Sequence, residues 1–217
     1  MANVTDVLEA RCLAYMGLQS IFGTPPTAVQ IDVLKDISVQ HAFELLARND
    51  TYKQSVSEFF GFLENFEFDE ALSDEYNHLF IGPGKLAAHP WESVFRQRDT
   101  LLFAESTLEV RRSYLAQGYA PKLFPHVADD HIALELDFMR RLSQSADEGL
   151  CRSDASIVKS CMDASRSFLD EHLLVWVDSY AEALASTTQG FYRDAARLLP
   201  SFVANDRVVI EEIFSSL

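Results

Sequence analysis

The sequence predicts an all-α fold: a single helical-bundle domain over residues 1–217, of about eight to ten helices, with a hinge-like connector at 118–128. Three observations predict it. Apolar residues recur at the 3.6-residue period along most of the chain, and no segment shows the alternation of a half-buried strand. Two segments, Thr27-Ala-Val-Gln30 and Thr51-Tyr-Lys-Gln54, carry the capping-box pattern that opens helices. The 8 Gly and 7 Pro lie mostly between the periodic segments rather than inside them.

In chain order, Val4, Val7, Leu8, Cys12, Tyr15, Leu18 and Phe22 form the apolar face of a first helix, which Gly23 and Pro25-Pro26 stop. Helices are then expected to begin near Thr27 and Thr51, the latter carrying Val56, Phe59, Phe60 and Leu63. Another follows from Asp69 through Leu72, Tyr76, Leu79 and Phe80. The segment Ile81-Gly-Pro-Gly-Lys-Leu-Ala-Ala-His-Pro-Trp91 breaks the pattern, because two Gly and two Pro in so short a stretch exclude a regular helix. A helix resumes around Arg98 and ends at Gly118, the residue type best suited to a left-handed C-terminal position. After the connector, periodicity runs from Asp129 to about Gln144 and breaks over Ser145 to Ser153. It resumes through Tyr180, with further helices near Phe191–Phe202 and Asp206–Phe214.

Eighteen Lys and Arg against 33 Asp and Glu give a formal charge of -15, which disfavours nucleic acid and favours a basic partner. Three cysteines, Cys12, Cys151 and Cys161, form no CxxC pair and are expected to be buried free thiols in a reducing, cytoplasmic setting. The first twelve residues do not read as an export signal, and no apolar run approaches the length of a membrane span.

The helix from Asp129 places His131, Leu134, Glu135, Phe138, Met139 and Leu142 on one broad face. A carboxylate on that face is costly to desolvate, so Glu135 is expected to pair with His131 or another donor. An alternative reading makes Asp130, His131 and Glu135, with Asp129 and, as an optional further ligand, His126, the ligands of a metal-dependent helical hydrolase. No HExxH or comparable ligand set supports it. His172 shares a face with Phe168, Leu169, Trp176 and Tyr180 and reads as a core histidine with one hydrogen bond. There is no GxGxxG, no phosphate-binding GxxxxGK[ST] and no GxSxG elbow, so neither a cofactor nor conventional catalysis is expected. A helical adaptor without an exported client is a further alternative.

Tyr76-Asn-His-Leu-Phe80-Ile-Gly-Pro-Gly84 followed by Pro90-Trp-Glu-Ser-Val94 resembles a signature of the TorD/DmsD/NarJ-type chaperones that mature molybdenum-containing redox enzymes. Asp130-His131-Ile-Ala-Leu-Glu-Leu-Asp-Phe-Met139 resembles the family's second signature. Phe168-Leu-x-x-His172-Leu-x-x-Trp176 and Phe191-Tyr192 are similar to a third. The family's Glu-Pro before the Asp-His motif is replaced here by Val127-Ala128.

The resemblance implies an all-α cytoplasmic chaperone, not an enzyme, existing as a monomer or a domain-swapped dimer hinged at 118–128. Its partners would be the twin-arginine signal peptide and apo form of a DMSO-, TMAO- or nitrate-reductase-like molybdoenzyme, whose cofactor insertion it assists before export. The residues it assigns to client binding are Tyr76, Leu79, Phe80, Gly82, Pro83, Pro90, Trp91, Ser93, Asp130 and His131, supported by Glu135, His172 and Trp176. In the expected groove, apolar groups would receive the peptide's hydrophobic stretch and acidic groups its arginines.

Overall fold

In the computed structural model, which describes residues 3–82, 86, 88–96, 105–121 and 127–216, the chain is helical almost throughout. The helices are α1 (Val4–Gly23), α2 (Ala28–Leu34), α3 (Ile37–Leu45), α4 (Asp50–Glu64), α5 (Glu70–Tyr76), α6 (Glu92–Arg96), α7 (Glu105–Ala116), α8 (Ile132–Cys151), α9 (Ala155–Phe168), α10 (Leu174–Ala185) and α11 (Phe191–Ser216). A π-helical turn, Asn77–Ile81, prolongs α5, and another, Leu169–Leu173, joins α9 to α10 without a break. Counting α9 and α10 as one continuous rod gives ten helices among the described residues, within the expected range. No strand forms among those residues, and the one isolated β-bridge joins Trp91 to His131.

α1 lies along α8, and the two run antiparallel, since Gly23 at the end of α1 meets Ala133 at the start of α8. A Cβ on Gly23 would stand 3.2 Å from that of Ala133, so the close approach favours glycine. α8 packs on α9, α10 on α11, and α11 on α4. Phe202 of α11 is a hub, with ring centroids 4.8 Å from Tyr15, 5.8 Å from Phe43 and 6.2 Å from Tyr52. One buried ion pair lies within this apolar core. Arg11 grips Asp206 through two bonds of 2.7 and 2.9 Å, and the Tyr15 hydroxyl donates to Asp206 at 2.6 Å. Both charged side chains are fully buried, so each depends on the other for the solvation it has lost.

Several boundaries differ from the expectation, each for a local reason. The helix opening at Thr27 divides at Lys35-Asp36, where the Asp36 carboxylate accepts from Ser38 N and starts α3. Thr27 caps α2 as expected, but Gln30 Nε2 turns to Thr24 Oγ1 instead of closing the box. The cap of α4 lies two residues before Thr51, at Asn49, whose Oδ1 accepts from Tyr52 N, so the helix begins at Asp50. α8 runs through Ser145–Cys151, and the actual stop is Ser153, at φ 56°. No break occurs near Asp206. α11 continues past Pro200, Asn205 bonds Arg48 N and Leu46 O instead of ending a helix, and Asp206 holds Arg11. Gly118 has φ +65°, the left-handed conformation anticipated after α7. Residues 122–126 of the expected hinge and the expected helical start at 98–104 lie outside the described residues. Cys161 is buried and Cys12 half-buried, but Cys151 is exposed at the end of α8, which corrects the reading of all three thiols as buried. Among the described residues no helix is long and apolar enough to cross a membrane.

Candidate binding site

The first signature divides between core and surface. Tyr76, Leu79 and Phe80 are buried. Tyr76 packs on Phe80 with centroids 4.8 Å apart, and Phe80 contacts Tyr192 at 5.5 Å and Phe22 at 6.3 Å. The π turn at Asn77–Ile81 ends at Gly82, whose φ 93° and ψ 179° are available in practice only to glycine, so this residue sets the exit direction of the chain. Pro83 lies outside the described residues. The apolar residues assigned to a groove are thus packed inside the protein, whereas Ile81, His78 and part of Trp91 reach the surface.

The second half of that signature meets the Asp-His motif across backbone hydrogen bonds. Ile132 N donates to Pro90 O at 2.9 Å, and Glu92 N donates to Asp130 O at 3.0 Å, which brackets the Trp91–His131 bridge. The Asp130 carboxylate accepts from Ser93 N at 2.9 Å, capping the free N-terminus of α6 from another part of the chain. His131 is itself the N-cap of α8, with Nδ1 accepting from Ala133 N at 3.1 Å, an arrangement that requires that nitrogen to be unprotonated. Burial lowers the His131 pKa to about 4 despite the opposing charge of Asp130. Its ring meets Trp91 edge-on, with centroids 5.4 Å apart, and both residues are half-exposed.

Beneath this joint lies a buried polar layer. Glu92, fully buried on α6, stands 3.0 Å from His172 Nδ1 and 2.7 Å from Arg96 Nη1. The π turn before α10 carries His172 to this position, where its ring also packs on Phe168, with centroids 4.7 Å apart and planes tilted by 38°. Glu135, also fully buried, accepts from Trp176 Nε1 at 3.2 Å. Its partner is therefore Trp176 rather than His131, whose ring is turned toward its own helix terminus. Desolvation first, then the charges of Glu92 and Asp130, push the Glu135 carboxyl well above its usual range. Phe95 stacks on Trp176 at 5.7 Å and meets Tyr180 at 6.0 Å. Tyr180 in turn reaches Phe22, so an aromatic wall links this layer to Phe80.

The structure thus brings together Pro90, Trp91, Ser93, Asp130 and His131 at one joint, with Glu135, His172 and Trp176 directly below. Glu92, Phe95 and Arg96 were not singled out by the sequence as site residues. A signal for Glu92 was present, since a lone core histidine and a lone acid in an apolar-flanked segment each need a partner. Among the described residues no group of three or more His, Cys, Asp and Glu side chains is arranged to hold a metal. Asp130, His131 and Glu135 bond to Ser93 N, Ala133 N and Trp176 Nε1 respectively, so the three do not converge on one point. Four buried polar atoms of the joint, Trp91 Nε1, Ser93 Oγ, Asp130 Oδ1 and Glu135 Oε1, have no hydrogen-bond partner among the described residues. Each would be satisfied by water or by an incoming polar group.

A family described as "Nitrate reductase delta subunit" matches residues 50–182, which contain both halves of this joint. The chain is 26% identical to a chaperone protein TorD of Vibrio vulnificus (strain YJ016) over 211 residues, covering 95% of this chain and 97% of the relative. To a chaperone protein TorD of Vibrio cholerae serotype O1 (El Tor Inaba N16961) it is 28% identical over 144 residues, 66% of this chain and 64% of the relative. A solved structure from Archaeoglobus fulgidus, described as a redox enzyme maturation protein, superposes with a TM-score of 0.53 at 19% identity. It covers 90% of this chain and 93% of that one, and it shows a shared fold. The chain belongs to the nitrate reductase delta subunit family, the family of TorD-like chaperones.

Proposed function

We propose that this chaperone acts in the cytoplasm by binding the twin-arginine signal peptide and apo form of a molybdopterin-dependent oxidoreductase, assisting cofactor insertion before export. The single observation that carries the reading is the joint of Pro90–Ser93 with Asp130–Ile132. It leaves Trp91 and His131 half-exposed above buried, unpartnered polar atoms. The half-buried indole of Trp91 offers an apolar anchor, the fully buried Asp130 has an unpartnered Oδ1 that a guanidinium entering the joint would satisfy, and the net charge of -15 attracts a basic segment.

Tyr76 and Phe80 support the joint from the core through Phe22 and Tyr180, so their part is to hold it in shape, and Leu79 is buried beside them in the chain. The test is titration of a labelled twin-arginine signal peptide against wild type and Asp130→Asn at two salt concentrations. Surface charge attraction is screened over about 8 Å at physiological salt, so higher salt slows association while changing the equilibrium modestly. Equal binding of the signal peptide and of a version with both arginines replaced by glutamine would overturn the proposal.

A further inference from the structure

Two depressions meet on the face formed by the first turns of α1, by α3 and by the end of α11. One, of about 520 Å³, lies between Leu13, Ile37 and Leu45. The other, of about 830 Å³, lies between Val4, Leu45, Val208 and Ile213. Leu45 borders both, so together they form a groove whose walls are mostly apolar. Ile37 is 74% and Val208 47% exposed on its rim, an arrangement that costs solvation and that a covering partner would relieve.

The rim is acidic. Asp6 and Glu9 line the first depression and make no ion pair among the described residues. Glu211 and Glu212 line the second, but each is already paired, Glu211 with Arg207 and Glu212 with Arg48 at 2.6 Å, so the free carboxylates of the rim are those of Asp6 and Glu9. This excludes most occupants. A second copy of the chain would bring its own -15 against the same carboxylates, and anionic lipid or nucleic acid would be repelled likewise. A polypeptide with one apolar and one cationic face satisfies walls and rim together.

We infer that this groove is a second docking surface, taking a basic amphipathic helix of a partner polypeptide. It is separate from the Trp91–His131 joint. That joint sits at the Gly23 end of α1, against Ala133, whereas the groove flanks residues 4–13. A helical rise of 1.5 Å per residue puts roughly 15–30 Å between them. A single client could engage both sites at once, which would raise its overall affinity without any new contact.

The experiment uses a fluorescein-labelled synthetic 18-residue helix with Leu on one face and Lys on the other. Its control replaces every Lys with Glu. Wild type should bind the first and not the second. Ile37→Glu and Val208→Glu, both at exposed positions the fold does not need, should each weaken binding at least tenfold. Asp6→Asn combined with Glu9→Gln should weaken it severalfold and flatten its salt dependence. Val175→Glu, at a position 50% exposed on α10, should bind as wild type does. The inference is overturned if the groove variants bind like wild type or if Val175→Glu loses as much as they do. It is also overturned if sedimentation shows wild type to be a dimer that Ile37→Glu dissociates, because the groove would then be filled by a second copy. Trp91→Ala should leave binding of this probe unchanged, so failure here and failure of the signal-peptide reading remain distinguishable.

Discussion

Glu135 offers the most exacting test of the buried polar layer. The side chain is fully buried, accepts the Trp176 indole N–H and faces Glu92 and Asp130, and burial with those charges raises its pKa well above 4.5. In the unfolded chain the carboxyl titrates near 4.5. Above that pH the folded state keeps a proton that the unfolded chain has lost. This group's contribution is therefore fully present below pH 4.5 and is lost as pH rises toward the folded pKa, at up to about 1.4 kcal/mol per pH unit.

Glu135→Gln keeps the acceptor for Trp176, places an N–H toward Glu92 and removes the titration. The difference between this variant and wild type should therefore move in the variant's favour from pH 5 to pH 8. Glu135→Ala has no such compensation. It leaves the indole N–H of Trp176 unpartnered, at a cost of about 1–3 kcal/mol. For a chain of this size each 1 kcal/mol lowers Tm by about 2–4 °C. Guanidinium denaturation of the three proteins at pH 5, 6.5 and 8, with Tm as a second readout, measures both effects. If Glu135→Gln is as destabilised as Glu135→Ala at pH 8, or if its difference from wild type does not change with pH, the carboxyl is ionised in the folded protein and the account of the layer fails.

Other perturbations have equally definite outcomes. Arg11→Met should cost about 3–5 kcal/mol by stranding Asp206 in the core, whereas Arg11→Met with Asp206→Leu should recover most of the loss; chemical denaturation and a double-mutant cycle measure the coupling. Phe80→Ala should cost about 3–5 kcal/mol of stability, because the ring is enclosed by Phe22, Tyr76 and Tyr192. Trp91→Ala, at a half-exposed position, should keep the fold and weaken signal-peptide binding by about 2 kcal/mol, roughly 30-fold, in a fluorescence titration. Ser153→Gly should raise stability by up to about 1 kcal/mol, since Ser153 holds φ 56° just past α8; an unchanged denaturation midpoint would show that the serine bears no strain there.

The sequence by itself determined the helical class, most of the helix starts and the family, because those properties are local. Apolar spacing along Val4–Phe22 fixes a face whatever it packs against, and Thr27 and Asp69 cap their helices with atoms two or three residues away. The same locality explains the boundaries that the sequence did not give. Asn205 and Asp206 resemble a helix stop until Leu46, Arg48 and Arg11 bring distant partners, and at Thr51 the competing cap, Asn49, lay just upstream.

The site divides along the same line. Asp130-His131 and Pro90-Trp91 were legible as motifs, but their roles were not. Asp130 caps a helix that starts 38 residues earlier in the chain, and His131 belongs to its own helix terminus rather than to Glu135. Pairing His172 with Glu92 and Trp176 with Glu135 depended on a π turn that the 3.6-residue period does not encode, and on separations of 80 and 41 residues. Only the tertiary structure decided those pairs, because a buried carboxyl takes whichever donor packing brings within hydrogen-bond reach, and spacing along the chain says nothing about which one that is.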